Sequence, residues 1–247
     1  MWYPENRHVL NETLNKYLKT GKHKKPLALD KNSKLKKGQN PLHGIIVPHA
    51  GYQYSGAVAG TAFSLIKKPV KKAIVIGPSH YVHLFDAMTT NQQDIQTPLG
   101  KTKTFNTDFL TGNIEQEHSI SNQYPFLQKL HVEQIMPLMI GKITNQQALE
   151  IAKKISKIKA LYVFSTDLSH FLDYETAVKK DKESVKIIEN LDSEKFRFID
   201  ACGYFPLLIL KELCKIKKTK PELVEYKNSG DVIGDKTSVV GYASFYF

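Results

Sequence analysis

The feature that most restricts this chain is a pair of short runs, GIIV at 44–47 and AIVIG at 73–77, apolar at every position instead of at alternate ones. A strand with one face in water alternates. A strand covered on both faces does not, and such strands belong to parallel sheets sandwiched between helices. A third run, ALYVFS at 160–165, has the same character. Stretches with helical spacing lie between them: SGAVAGTAFSLI at 55–66, with Ser55 as the expected N-cap, and 145–157. This alternation predicts an α/β fold: a single-domain α/β/α sandwich with a mostly parallel central sheet, spanning residues 1–247.

The remaining segments are read the same way. Leu10, Leu14, Tyr17 and Leu18 predict an amphipathic helix over 6–20, and the lysine-rich stretch 21–41 a loop. Residues 84–104, around TPLG, predict a small antiparallel excursion, followed by a helix over 106–112. QIMPLMIG at 134–141 reads as a strand in which Pro137 argues against a central place. Helices are expected over 174–190, 193–200 and 204–216, and a terminal strand over 238–247.

Composition narrows the function. Hydrophobic residues make up 41% of the 247, enough for a sizeable core. No apolar run approaches the roughly 20 residues of a membrane span, and the opening MWYPENRHVL lacks an apolar signal core. The expectation is a cytoplasmic protein without a membrane partner. Two cysteines, Cys202 and Cys214, are too few for a disulfide framework, which points to a reducing compartment. The net charge of +11 invites a nucleic-acid reading, but of 35 basic residues only Arg7 and Arg197 are arginine. Phosphate and base-edge readers lean on the planar guanidinium. Dispersed lysines describe a solvated surface, and no specific nucleic-acid partner is expected.

In open α/β sheets ligands bind beyond the carboxyl ends of the strands. Three such ends carry reactive groups: His49 after GIIV, His80 in GPSH after AIVIG, and Asp167 and His170 in STDLSH after ALYVFS. Imidazoles with a carboxylate are a ligand set for divalent iron, copper or zinc. A single loop histidine is more often a hydrogen-bonded structural group, so the shared placement carries the argument, not any one residue. Ser165, Asp167 and His170 include the residue types of a serine triad, but no G-x-S-x-G elbow is present; neither is a phosphate-binding glycine loop. Cys202 in ACGYFP reads first as a small buried residue before a helix, and second as a reactive thiol. His118 in EHSI is an acid/base candidate or a residue of a helix N-terminus.

VPHAGYQYSG (47–56), GPSH (77–80), TPLG (97–100), EHSI (117–120), STDLSH (165–170), ACGYFP (201–206) and SVVGYAS (238–244) follow one another here. Their order resembles that of the Memo-like family, known in many microbes as protein B of the AmmeMemoRadiSam system. The opening Trp2-Tyr3-Pro4 resembles that family's start. The resemblance implies a fold similar to the class III extradiol dioxygenases (LigB-like), whose non-haem iron is held by two histidines and a carboxylate. It makes His49 and His80 metal ligands, places Asp167 and His170 in the same pocket and puts Glu117 and His118 beside it. Tyr52, Tyr54 and Cys202 are the expected pocket lining. The implied cofactor is a divalent metal, Fe(II) first, with Cu or Zn as alternatives. The implied function is a non-haem metal-dependent redox protein or oxygenase acting on a small molecule, with His170, Asp167 and His118 as candidate catalytic groups. The alternative is a non-catalytic cleft for a peptide or protein partner. Radical-SAM and AMMECR-like proteins of the same system are the implied partners.

The sequence departs from the family pattern twice. After EHSI, where members commonly carry a glutamate, this chain has Ser121-Asn122-Gln123-Tyr124-Pro125. Late in the chain, where the eukaryotic branch has a cysteine metal ligand, an ungapped reading finds Val232. Valine cannot bind a metal, so the adjacent Asp231 becomes a candidate third ligand; the alternative is that Asn228-Ser229-Gly230-Asp231 is an ordinary turn in which Gly and Asp serve the backbone. Two histidines and a carboxylate would favour Fe(II) over Cu(I).

Overall fold

In the computed structural model, residues 2–20 and 42–247 are described; the loop expected over 21–41 lies outside them. The chain order is α1 (Arg7–Thr20), β1 (Gly44–Val47), α2 (Tyr52–Phe63), β2 (Lys72–Pro78), β3 (Ala87–Thr90), β4 (Asp94–Thr97), β5 (Gly100–Thr104) and β6 (Leu110–Gly112). Then come α3 (His118–Ser121), α4 (Tyr124–Lys129), β7 (Gln134–Ile140), α5 (Asn145–Ser156), β8 (Leu161–Ser165), β9 (His170–Leu172), α6 (Tyr174–Asn190) and α7 (Tyr204–Lys217). The chain closes with β10 (Glu222–Asn228), α8 (Ser229–Ile233) and β11 (Val239–Tyr246). Among the described residues no helix is long and apolar enough to cross a membrane.

One sheet runs in the order β10-β11-β1-β8-β2-β7-β3-β6. Its centre, β1-β8-β2-β7, is parallel; antiparallel pairing joins β11 to β1 on one flank and β3 to β7 on the other. Successive residues of a strand face opposite sides, and here each side has its own core. Ile46, Ile74, Ile76, Tyr162 and Phe164 pack with Ile151, Ile155, Leu207 and Leu210 from α5 and α7. Ile45, Val47, Ala73, Val75 and Val163 pack with Leu10, Leu14, Ala59, Phe63 and Phe126 from α1, α2 and α4. Two apolar faces are the reason GIIV and AIVIG carry no alternation. The structure is the α/β/α sandwich expected.

Four expectations need correction. Helix α2 starts three residues before Ser55; Gly51 is at its N-cap, and the Ser55 hydroxyl instead donates to the Ala50 carbonyl. Residues 106–112 form no helix: Phe105 and Phe109 lean on the core, and Leu110–Gly112 pair with β3. The stretch lacks a 3.6-residue apolar stripe, so tertiary pairing decides it. Of the helix expected over 193–200 only a single 3-10 turn, Phe196–Phe198, forms. Strand β7 is central despite Pro137. Its far side is paired by β5 at Gln134–Ile135 and by β3 at Leu138–Ile140. Pro137 falls in the interval, where no ladder N–H is required, and its carbonyl accepts the Thr89 hydroxyl at 2.6 Å.

Candidate metal centre

The order β1-β8-β2 sets three parallel carboxyl ends side by side. His49, Asp167 and His80 each lie two residues beyond the end of their strand, at Val47, Ser165 and Pro78 respectively. The sheet therefore delivers them to one place.

His49 is 2% exposed and held on every side. Its backbone N–H donates to Asp167 Oδ1 at 2.8 Å, and its carbonyl accepts from Asn122 Nδ2 at 2.6 Å. Its Nδ1 meets Ser165 Oγ at 3.0 Å, and that hydroxyl also accepts from Gln123 Nε2 at 3.0 Å. With Nδ1 engaged, Nε2 is the ring nitrogen turned to Cys202 Sγ, 3.2 Å away, and to Asp167 Oδ2 at 3.9 Å. Burial, reinforced by the charge of His80, holds the imidazole near a pKa of about 3, so it is neutral at physiological pH.

His80 is oriented by Glu117, the residue at the N-cap of α3. One carboxylate oxygen accepts the His80 backbone N–H at 2.7 Å; the other accepts His80 Nδ1 at 2.8 Å and Ser119 N–H at 3.0 Å. A carboxylate only accepts, so Nδ1 is a nitrogen that bears a proton and donates it. Burial alone would raise the Glu117 pKa; the hydrogen bonds from His80 and Ser119 outweigh it and hold the group at about 2. His118 completes a trio of rings, 4.6 Å from His80 and 5.3 Å from His49 between centroids. Its Nδ1 meets the Tyr81 hydroxyl at 2.9 Å, and Trp2 stacks on it at 4.1 Å. Burial and the two neighbouring histidines bring its pKa down to about 4.

Asp167 is buried, which pushes its carboxyl up against the opposing pull of the His49 N–H and the His170 charge. His170 begins β9 opposite Val240, half-buried, near enough for its charge to act on both His49 and Asp167. The sequence thus brings together His49, His80, Glu117, His118, Asp167 and His170.

Asp231 stands elsewhere. Its Oδ1 accepts the Tyr174 hydroxyl at 2.8 Å and its Oδ2 the Asn228 N–H at 3.0 Å, while its own N–H donates to Asn228 Oδ1 at 3.0 Å. This is a reciprocal capping box on α8, and a turn motif accounts for the carboxylate. Tyr52 is a core residue more than a pocket wall: it packs with Tyr3, Tyr17 and Phe126, and its hydroxyl donates to the Asn122 carbonyl. Tyr54 is half-buried in the first turn of α2 and acts electrostatically on Tyr242. A surface cavity of about 890 Å³ between α1 and α4, lined by Asn6, Arg7, Lys101 and Lys129 among others, contains none of these groups.

Cys202 enters in a way its spacing did not show. Among the described residues, ligand atoms of His49, His80 and Cys202 lie within 4.8 Å of one another, as do those of His80, Glu117 and His118. Asn122 and Gln123, in the run that departs from the family pattern, support the backbone of Pro48–His49. Neither role has a sequence signal: each depends on a segment remote from the strand ends.

A family model described as Memo-like protein matches residues 1–246. A MEMO1 family protein of Methanobrevibacter smithii is 35% identical over 82% of this chain and 82% of its own length. One from Nitrosopumilus maritimus is 30% identical over 100% and 96%, and one from Methanococcoides burtonii 34% over 81% and 84%. With the strand-end histidines in place and the match running over nearly the whole sequence, the chain belongs to the Memo-like family.

Proposed function

We propose that the chain is a metal-dependent redox protein acting on a small molecule, with His49 and His80 as the anchoring ligands. One observation carries this reading. Two imidazoles at the strand ends on either side of β8 each have Nδ1 in a hydrogen bond, that of His80 donated to the Glu117 carboxylate and that of His49 shared with the Ser165 hydroxyl, which leaves Nε2 as the ring nitrogen available to a metal. Ligating histidines are oriented in this way by a hydroxyl or carboxylate behind them. The donor set fits a metal: imidazole nitrogens and a thiol within 4.8 Å. When bound, an ion supplies Lewis-acid or one-electron chemistry at that point.

The chain's own groups do the rest. Glu117 fixes the His80 tautomer. Asn122 and the Asp167 carboxylate grip the backbone of His49. Trp2, stacked on His118, holds that ring in place from the outer side. His118 stays a neutral hydrogen-bond partner, while half-buried His170, with access to solvent, is the group assigned to proton transfer. Dioxygen as co-substrate is the finer form of the reading.

The test is element analysis of anaerobically purified protein. Wild type should carry metal, and His49→Ala and His80→Ala should each lose it while retaining the wild-type melting profile. Full metal content in both variants sinks the reading; oxygen uptake by loaded wild type decides the oxygenase form.

A further inference from the structure

The site's third donor follows from how α7 meets the sheet. Gly203, at the N-cap of α7, has no room for a side chain: a Cβ there would lie 2.4 Å from Thr166 Cβ and 2.5 Å from Thr166 Oγ1. Its N–H donates to Thr166 Oγ1 at 2.8 Å. The start of a fourteen-residue helix is thereby pressed onto the end of β8. The residue just before it, Cys202, is fixed by its own N–H to the Asp167 carbonyl at 3.3 Å, and its sulfur accepts the Asp167 N–H at 3.3 Å. The result is Sγ at 3.2 Å from His49 Nε2.

We propose that Cys202 is the third ligand, completing a His49–His80–Cys202 site that takes a thiophilic ion, Cu(I), in preference to Fe(II). This rests on the reading of His49 and His80 as ligands. For the His49–Cys202 pair the geometry needs little change; the His80 donor lies within 4.8 Å of both. For metal–sulfur and metal–nitrogen bonds of about 2.3 and 2.05 Å at a tetrahedral angle, the two donor atoms sit about 3.6 Å apart. The observed 3.2 Å is short of that by less than half an ångström, roughly the 0.5 Å tolerance of a functional constellation. The ion takes the place of the thiol proton: the S–H bond breaks, a sulfur–metal bond forms, and one proton leaves to solvent per ion bound. No electron moves in this step. Burial and the Asp167 charge push the free thiol up to about 12, against the pull of the Asp167 and Gly203 N–H groups, so it is the ion that displaces the proton. Soft thiolate ligands select Cu(I), whereas the iron-selecting combination needs a carboxylate in the third place. Asp231 is engaged in its capping box. Asp167 is the competing carboxylate, with Oδ1 already accepting the His49 N–H.

The test uses metal-free full-length protein under anaerobic conditions. Wild type, Cys202→Ser, Cys202→Ala, Asp167→Asn and His49→Ala are titrated with Cu(I) held by a colorimetric chelator, and separately with Fe(II) and Co(II). Wild type should bind one Cu(I), release one proton and show a thiolate-to-Co(II) charge-transfer band. Both Cys202 variants should lose that band and weaken Cu(I) by more than about 100-fold, beyond the 10–100-fold of outer-shell changes. Melting of the metal-free variants close to wild type excludes a folding defect. Equal Cu(I) affinity in wild type and both Cys202 variants overturns the inference and leaves the histidine reading standing. So does a loss of binding confined to Asp167→Asn. Failure of wild type to bind any of the three ions overturns the histidine reading and this inference together.

Discussion

Replacement of Gly203 by alanine tests the docking of α7 without reference to any metal. The new Cβ would sit 2.4 Å from Thr166 Cβ and 3.1 Å from the Ser165 carbonyl oxygen. Carbon–carbon contact is optimal at about 3.5–4.0 Å, so the helix start must retreat by about 1 Å. Retreat stretches the 2.8 Å bond from Gly203 N–H to Thr166 Oγ1. Overpacking of this kind costs about 1–3 kcal/mol, and loss of the hydrogen bond about 1 more. Against this, alanine narrows the unfolded ensemble by about 0.4–1 kcal/mol, and φ −85°, ψ 27° causes it no strain. The balance is a destabilisation of about 1–3 kcal/mol, or roughly 3–10 °C in Tm for a chain of this size. Urea unfolding measures the first and calorimetry the second. Cys202 should also react faster with a thiol reagent as its sulfur moves off His49. Gly51→Ala is the control: the nearest atom to its Cβ would be 3.6 Å away, so stability should hold or rise slightly. A Gly203→Ala protein as stable as wild type, or a Gly51→Ala protein that falls with it, would refute the packing argument.

Asp231→Ala should cost about 1 kcal/mol in urea unfolding, the usual loss for a cap, while leaving metal content at the wild-type level; metal loss would make Asp231 a ligand. Asp181 is fully buried beneath β11, where it accepts Ser169 N–H and the Tyr226 hydroxyl, and burial raises its pKa above the ordinary 3.8. A raised folded-state pKa means the folded chain holds the proton more tightly, so the stability of wild type relative to Asp181→Asn should decline as pH rises above 3.8. A relative stability that climbs with pH over that range contradicts it. Titration with duplex and single-stranded nucleic acid at physiological salt should give nothing tighter than the roughly micromolar non-specific range; nanomolar, sequence-selective binding would reverse the reading of the +11 charge.

Much of the architecture was written locally. Apolar runs without alternation require two covered faces, so GIIV and AIVIG announced a sandwich and a parallel centre. His49, His80 and Asp167 were legible because strand ends are where such sheets bind ligands, and each lies two residues past a strand. What the sequence left undecided depends on partners remote in the chain. Whether 106–112 would be a helix or would end in a strand turned on β3 being available to pair with Leu110–Gly112. Whether Pro137 could be central turned on the interval between β5 and β3. The surroundings of Asp231 and Cys202 were undecided for the same reason. A carboxylate next to a glycine in a late loop reads as a turn residue or a ligand until Asn228 and Tyr174 are seen to engage it. A cysteine before a helix reads as filler until Gly203 lets that helix close on Thr166 and sets the sulfur against His49. Local spacing determines what a segment can become; contacts across the sheet determine which groups meet, because proximity between residues 153 apart in the chain exists only once the strands are in register.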